Sequence, residues 1–209
     1  IEIETEAPET EAPQTEAADP DEQEPRVEKD GMIRSYLTGE MVPVSQGNRR
    51  PLAIMMSNDK AALPQYGINR ADIVYEAPVA PVEATMNRYL AVMEDYDDLT
   101  RIGSVRSCRT YYVYFAREFD AIYAHFGQST FAKPYLKFVD NINGIEGEGS
   151  TAYFRSKDKK SPHNAYASFG GIQRAIEKLG YSQEYDADYD GHFKFAKEGT
   201  QAVMHGADV

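Results

Sequence analysis

RIGSVRSCRTYYVYF, residues 101–115, changes its repeat midway. The alternation of the preceding chain gives way, from about Ser107, to apolar residues at helical spacing. Cys108, Tyr112, Phe115, Ala116 and Phe119 then form one stripe of an amphipathic helix. Ser107 is the expected N-cap, with Ser104 as the alternative. On this reading Cys108 is a small buried thiol rather than a nucleophile.

Working outward, the flanking segments read as strands. PLAIMMS (51–57) is a short apolar run after the turn-like QGNRRP, as expected of a buried strand. ADIVYEA (71–77) alternates, with Ile73, Tyr75 and Ala77 on one face. MNRYLAVM (86–93) places Arg88 on the same face as Leu90 and Val92. An arginine among apolar neighbours needs a partner, because a buried unpaired charge is costly. DAIYAHF (120–126) returns to strand, and HFKF (192–195) is expected to be a late one. Between the first two strands, SNDKAALPQYG reads as a helical turn stopped by Pro64. SFGGIQRAIEKLG (168–180) is a helix capped by Ser168 and stopped by Gly180, with Ile172, Ala175, Ile176 and Leu179 facing inward. Interspersed strands and helices predict a mixed α/β layered domain.

The chain has 209 residues and a formal net charge of -12. Residues 1–30 hold twelve Asp and Glu against Arg26 and Lys29, so about -2 is left for the remainder. A loose repeat, TEAPE, TEAPQ, TEAAD, runs from Thr5 to Asp19. Such a segment lacks the apolar surface to offset ordering, which predicts a disordered acidic tether over residues 1–31 spanning on the order of 30 Å. The rest is long enough for one packed domain. AVMHGADV stops as a new strand-like pattern begins, which predicts that residues 197–209 start a truncated C-terminal region. The chain begins with Ile rather than Met, as if a leader had been removed. One cysteine excludes an internal disulfide.

Arg101, Arg106 and Arg109 raise the functional question. Cations at a helix start oppose the macrodipole by roughly 0.3–1 kcal/mol each. The placement is sensible if an anion shares the spot, since guanidinium forks and free N–H groups suit phosphate or carboxylate. The alternative is an internal partner, with Asp72, Glu76 or Glu83 as the carboxylate. RSKDKKSPHNAY (155–166) is a second basic cluster, leading to His163 and Asn164. It reads either as an anion site with a proton donor or as a solvated loop. Asp186, Asp188, Asp190 and Gly191 match the first half of a calcium loop, but Lys197 stands where a bidentate Glu belongs, so an acidic turn fits better. His125, His163, His192 and His205 lack zinc spacings, and GIEGEGS fits neither phosphate-loop pattern, so no cofactor is expected. The basic residues form no continuous stripe, so no nucleic acid is expected.

The ordered series NRRPLAIMMSN, ADIVYEA, RIGSVRSCR, DAIYAHFGQS and FRSKDKKSPHNAY resembles the YerB-like bacterial lipoproteins, domain of unknown function 3048, over roughly residues 40–196. The family's motifs fall on Gly103, Val105, Arg106, Ser107 and Arg109; on His125, Gly127 and Ser129; and on Pro162, His163, Asn164 and Tyr166. The chain departs from them at Ser104, where the family has Pro, and at Gln128, where it has Gly. The resemblance implies a layered ββα sandwich-like domain, expected here over residues 32–196, followed by a smaller C-terminal domain. It also implies a lipid anchor outside the cytoplasmic membrane, but no established activity. The first functional expectation is therefore an envelope binding domain. Arg106, Arg109, His125, Ser129, His163 and Asn164 would meet an anionic ligand, supported by Asp72, Glu76, Glu83, Arg88 and Arg101. Alternatives are a hydrolase or transferase with His125 or His163 as base, and a structural or partner-binding module, its partner an envelope protein, with every arginine paired internally.

Overall fold

The computed structural model describes residues 25–79 and 86–196, and Arg26–Phe193 form the compact unit that follows. In chain order its strands are β1 (Met32–Arg34), β2 (Met41–Pro43), β3 (Leu52–Ser57), β4 (Ile73–Pro78) and β5 (Asn87–Met93). After these come β6 (Ile102–Gly103), β7 (Ile122–His125), β8 (Asn141–Asn143), β9 (Tyr153–Arg155) and β10 (Ala165–Ala167). The helices are α1 (Val44–Gly47), α2 (Thr110–Arg117) and α3 (Phe169–Leu179).

β3 is buried along its whole length and sits at the centre of a five-stranded sheet ordered β4-β5-β3-β7-β8. It runs antiparallel to β5 and parallel to β7, which is parallel to β8. The period of two splits the apolar run between two cores. Leu52, Ile54 and Met56 face one, with Ile122, Ile142 and the α3 residues Ile172, Ala175 and Ile176. Ala53 and Met55 face the other, with Leu90, Val92, Tyr123 and the α2 residues Tyr112, Val113 and Ala116. Each such buried aliphatic stabilises the fold by roughly 1.5–3 kcal/mol. A small antiparallel sheet, ordered β6-β10-β9, accompanies α3, its Ile102 and Ala167 joining the same core. The mixed α/β layered architecture is thus as expected.

Several local expectations hold. Residues 73–78 alternate as read, with Tyr75 stacked on Phe115 at 4.6 Å between ring centres. α3 starts with Ser168 Oγ accepting from Gly171 N at 3.2 Å and ends at Gly180 with φ +69°. Others are corrected. α2 begins at Thr110 with Arg109 as N-cap and no side-chain cap bond, not at Ser107. Cys108 is buried as expected, but it precedes the helix, and Val113 joins the helical stripe instead. His192 and Phe193 form a bend, with both rings against Phe119, rather than a strand. The hairpin of β1 and β2 carries no periodic signal and was not expected. Of the tether expected over residues 1–31, residues 1–24 lie outside the described residues, as do Glu83 and the region 197–209, whereas Arg26 donates to Arg34 O at 2.7 Å and Lys29 N to Met32 O at 2.9 Å. Among the described residues no helix is long and apolar enough to cross a membrane.

Candidate functional site

The carboxyl ends of parallel strands are where α/β sheets place their ligand sites, because the backbone diverges there and leaves a crevice. β3 and β7 both end here, at Ser57 and His125. The stretch 101–115 runs into the gap between them. Arg106 N donates to Met55 O at 3.0 Å, Phe126 N to Arg106 O at 2.9 Å and Cys108 N to Gly127 O at 2.8 Å. Gly103 makes the approach possible. Its φ is +125°, and a Cβ there would lie 2.6 Å from Val105 N. Val105 N donates to Ala165 O at 2.7 Å, which ties the segment to β10 and so to His163.

This register brings the two basic clusters of the sequence together. Arg106 Nη1 donates to Pro162 O at 2.8 Å, the carbonyl next to His163. Arg88 is opposite Ser57 on β5 and is 4% exposed. Its Nη1 donates to Ser107 O and lies 3.4 Å from Ser107 Oγ. Arg109 Nη1 reaches the same carbonyl at 3.5 Å and Cys108 O at 3.0 Å. Three guanidiniums are therefore held by backbone carbonyls. Among the described residues none of them has a carboxylate partner.

The electrostatics follow from that arrangement. Burial, then repulsion from Arg109 and Arg106, lowers the Arg88 pKa to about 10. Burial and Arg109 also lower that of Arg106. His163 Nδ1 is 3.5 Å from Ser57 Oγ, and its Nε2 is 4.0 Å from Asp59 Oδ2. Partial burial and the Arg106 charge lower the His163 pKa, while Asp59 opposes them. The Asp59 side chain is itself fixed, since its Oδ1 accepts from Ala61 N at 2.7 Å.

Other expected site residues serve the scaffold. His125 is fully buried, with Nδ1 2.8 Å from Gly127 O and Nε2 3.1 Å from Asn141 Oδ1. With both nitrogens engaged, it shapes the turn after β7 instead of offering a base or a ligand contact. Ser129 Oγ accepts from Ala132 N at 3.2 Å and caps a turn. Asn164 accepts from Arg155 at 2.6 Å and donates to Ser156 O at 3.3 Å, closing the β9–β10 hairpin. Asp72 takes Glu94 N at 2.9 Å, and Glu76 takes the Asn58 and Asn87 amides at 2.7 and 2.8 Å, so neither holds an arginine. Arg101 is paired, bonding Asp158 at 2.8 and 3.0 Å between the rings of Tyr66 and Tyr166. Gln128 is turned to Asn143 and Glu146, at 2.8 and 3.1 Å. Asp186 sits in an acidic turn, its N–H on Asp120 Oδ2 at 2.9 Å. Among the described residues no group of three His, Cys, Asp or Glu is placed to hold a metal, so the calcium match at Asp186, Asp188 and Asp190 is not supported. Burial lifts the Cys108 pKa to about 11, which suits an inert thiol.

Sequence reading missed Ser57 and Asp59 and gave Arg88 only a supporting part. The available signal was MMSND: the polar residues that end a buried strand of an α/β sheet sit where such sites form.

A mixed α/β domain with an arginine-lined end to its central parallel strands is the class of protein these features define. The chain belongs to the family described as Protein of unknown function (DUF3048) N-terminal domain, whose profile matches residues 37–182. It is 35% identical over 158 residues to the Bacillus subtilis (strain 168) protein named "Putative lipoprotein YerB", covering 75% of this chain and 46% of that one. The crystal structure of YerB from Bacillus subtilis is similar with a TM-score of 0.66 and 34% identity, covering 73% of this chain and 52% of that structure. The chain thus spans about half the length of the relatives it matches.

Proposed function

We propose that this domain binds a phosphate- or carboxylate-bearing ligand through Arg88, Arg106, Arg109 and His163, as part of an extracytoplasmic lipoprotein of the bacterial envelope. The observation that carries the reading is the convergence of three guanidiniums on main-chain carbonyls, none of them in an ion pair with a described carboxylate, although the Asp59 charge is felt by Arg106. A bidentate anion would supply the missing negative charge. Ser129 and Asn164 contribute by holding the flanking loops. The lipid anchor rests on the name of YerB and is tested by membrane fractionation of the full-length protein. The binding reading is tested by thermal unfolding in chloride against sulfate, phosphate and envelope-derived polyanions. Stabilisation by these anions is expected in the wild type and is expected to shrink in Arg106→Ala and His163→Ala. Equal gains in all three proteins would remove the site.

A second reading, a hydrolase or transferase, has its own observation in the line Ser57–His163–Asp59. Ser57 Oγ would bond to the acyl or phosphoryl centre of the substrate while its proton passes to His163 Nδ1, and His163 would give that proton to the leaving group as its bond to the same centre breaks, the imidazole being oriented by Asp59 through Nε2. The arginines would stabilise the developing oxyanion. Covalent labelling by a fluorophosphonate, lost in Ser57→Ala, would support this reading; a chain that resists labelling would retire it.

A further inference from the structure

Away from the arginine cluster, the outer side of α2 meets the 3₁₀ segment Lys133–Phe138. Three large rings stand out there: Tyr114 is 46%, Phe131 83% and Phe138 48% exposed. Arg117, Lys133 and Lys137 are exposed beside them. Tyr135 links the two elements, 5.9 Å from Tyr114 and 6.4 Å from Phe138 between ring centres. The Arg117 guanidinium and Lys137 Nζ lie 5.9 and 4.9 Å from the Phe138 ring centre. Tyr114, Arg117, Tyr135, Lys137 and Phe138 therefore form one patch, with exposed Phe131 and Lys133 on the adjoining turn.

The two segments that build it carry cations and no carboxylate. In a chain with 34 Asp and Glu, residues 110–117 and 129–139 contain none. Most bordering carboxylates are engaged: Asp120 and Asp140 with Arg50 at 3.1 and 2.7 Å, Glu118 with Tyr75 at 2.7 Å, Glu148 with Lys178 at 3.0 Å. Asp186 and Asp188 share a cavity with Arg117 and Lys137 and temper the potential on that side, as Glu146 and Glu148 do in the cavity they share with Lys133 and Lys137. Exposed aromatic rings among lysines and arginines match the layered chemistry of a bilayer surface. Rings with an apolar body settle at the headgroup level, and cations meet lipid phosphates above it.

We propose that this face docks on an anionic phospholipid bilayer, with Phe131 and Phe138 among the headgroups and Arg117, Lys133 and Lys137 on lipid phosphates. The proposal is independent of the ligand cluster and of the lipid anchor.

The chain has no tryptophan, so Phe131→Trp supplies a unique reporter. Val74→Trp is its control, because Val74 is 45% exposed and points away from the sheet face that α2 covers. The expected result is a blue shift of Phe131→Trp emission, quenched by brominated lipid, on phosphatidylglycerol vesicles and not on phosphatidylcholine vesicles. Val74→Trp is expected to stay unshifted. Lys133→Glu with Lys137→Glu, a surface pair whose fold is checked by circular dichroism, is expected to weaken partitioning by about tenfold or more, as is added salt. Arg106→Ala is expected to retain vesicle binding, which separates this face from the ligand site. The proposal is overturned by an unshifted Phe131→Trp, by equal shifts at both reporters, or by an unaffected charge-reversal variant. It is also overturned if the patch proves to be a self-association face, with concentration-dependent dimers and no vesicle binding, or if it takes soluble glycerol phosphate with no reporter shift on vesicles.

Discussion

Replacing Arg88 by methionine separates the two interpretations of the arginine cluster. Arg88 is 4% exposed and its pKa falls from the ordinary arginine value to about 10, so burial and its cationic neighbours destabilise the charged form by roughly 3 kcal/mol. The sign is that of a depressed base. Between pH 10 and the ordinary arginine value the unfolded chain holds a proton that the folded chain has lost, so stability rises with pH there. At neutral pH both states are protonated and the whole cost applies. Arg88→Met removes it, along with the bond to Ser107 O, which is worth about 1.5–3 kcal/mol as a charge-assisted contact. The two nearly cancel, so the variant is expected to lie within about 1.5 kcal/mol of wild type in urea unfolding without anions. With sulfate at about a hundred times its dissociation constant, wild type should gain about 2.7 kcal/mol. Arg88→Met should gain less than half of that. A loss of 3–5 kcal/mol in chloride, the usual result of breaking a compensated buried pair, would refute the argument. So would retention of the full sulfate gain.

The remaining predictions concern pH and backbone. Protonated His163 adds a cation to the ligand cluster, and because burial and Arg106 lower its pKa, anion affinity should rise as pH falls below the ordinary histidine range, with a flat profile in His163→Ala; titration calorimetry across pH decides it. Glu94 is 1% exposed and burial raises its pKa from 4.5 to about 7, so the folded state binds the extra proton and this stability is lost as pH rises through 7. Glu94→Gln should therefore be more stable than wild type above pH 7 by up to about 3 kcal/mol, and the difference should vanish near pH 4.5. Gly103→Ala forces a Cβ against Val105 N at φ +125° and should cost about 2 kcal/mol or more by urea midpoint, with anion binding falling in parallel.

Sequence was most informative where the determining interactions are short in range. The apolar run 51–57 and the alternation at 71–77 are visible because a strand repeats every two residues, and α3 is visible because its stripe, Ser168 cap and Gly180 stop all lie within 13 residues. β6, β9 and β10, two or three residues each, are too short for a period to show. The start of α2 was displaced for a tertiary reason. Arg106 and Cys108 commit their backbone to Met55, Phe126 and Gly127, so the helix waits until Thr110.

The candidate site divides in the same way. From composition and motif alone come the mixed α/β class, the inert Cys108, the anion-suited arginines and the pairing need of Arg88. Which residues meet was decided by the register of distant strands. Arg106 and the His163 loop are 56 residues apart at their contact, joined because Val105 pairs with Ala165. That same register leaves His125 sealed beneath the turn while Ser57 and Asp59 line the His163 side of the cluster. Local pattern encodes which face of an element is apolar. It does not encode which charges the folded backbone will crowd together, because that depends on hydrogen bonds formed only after the sheet has closed.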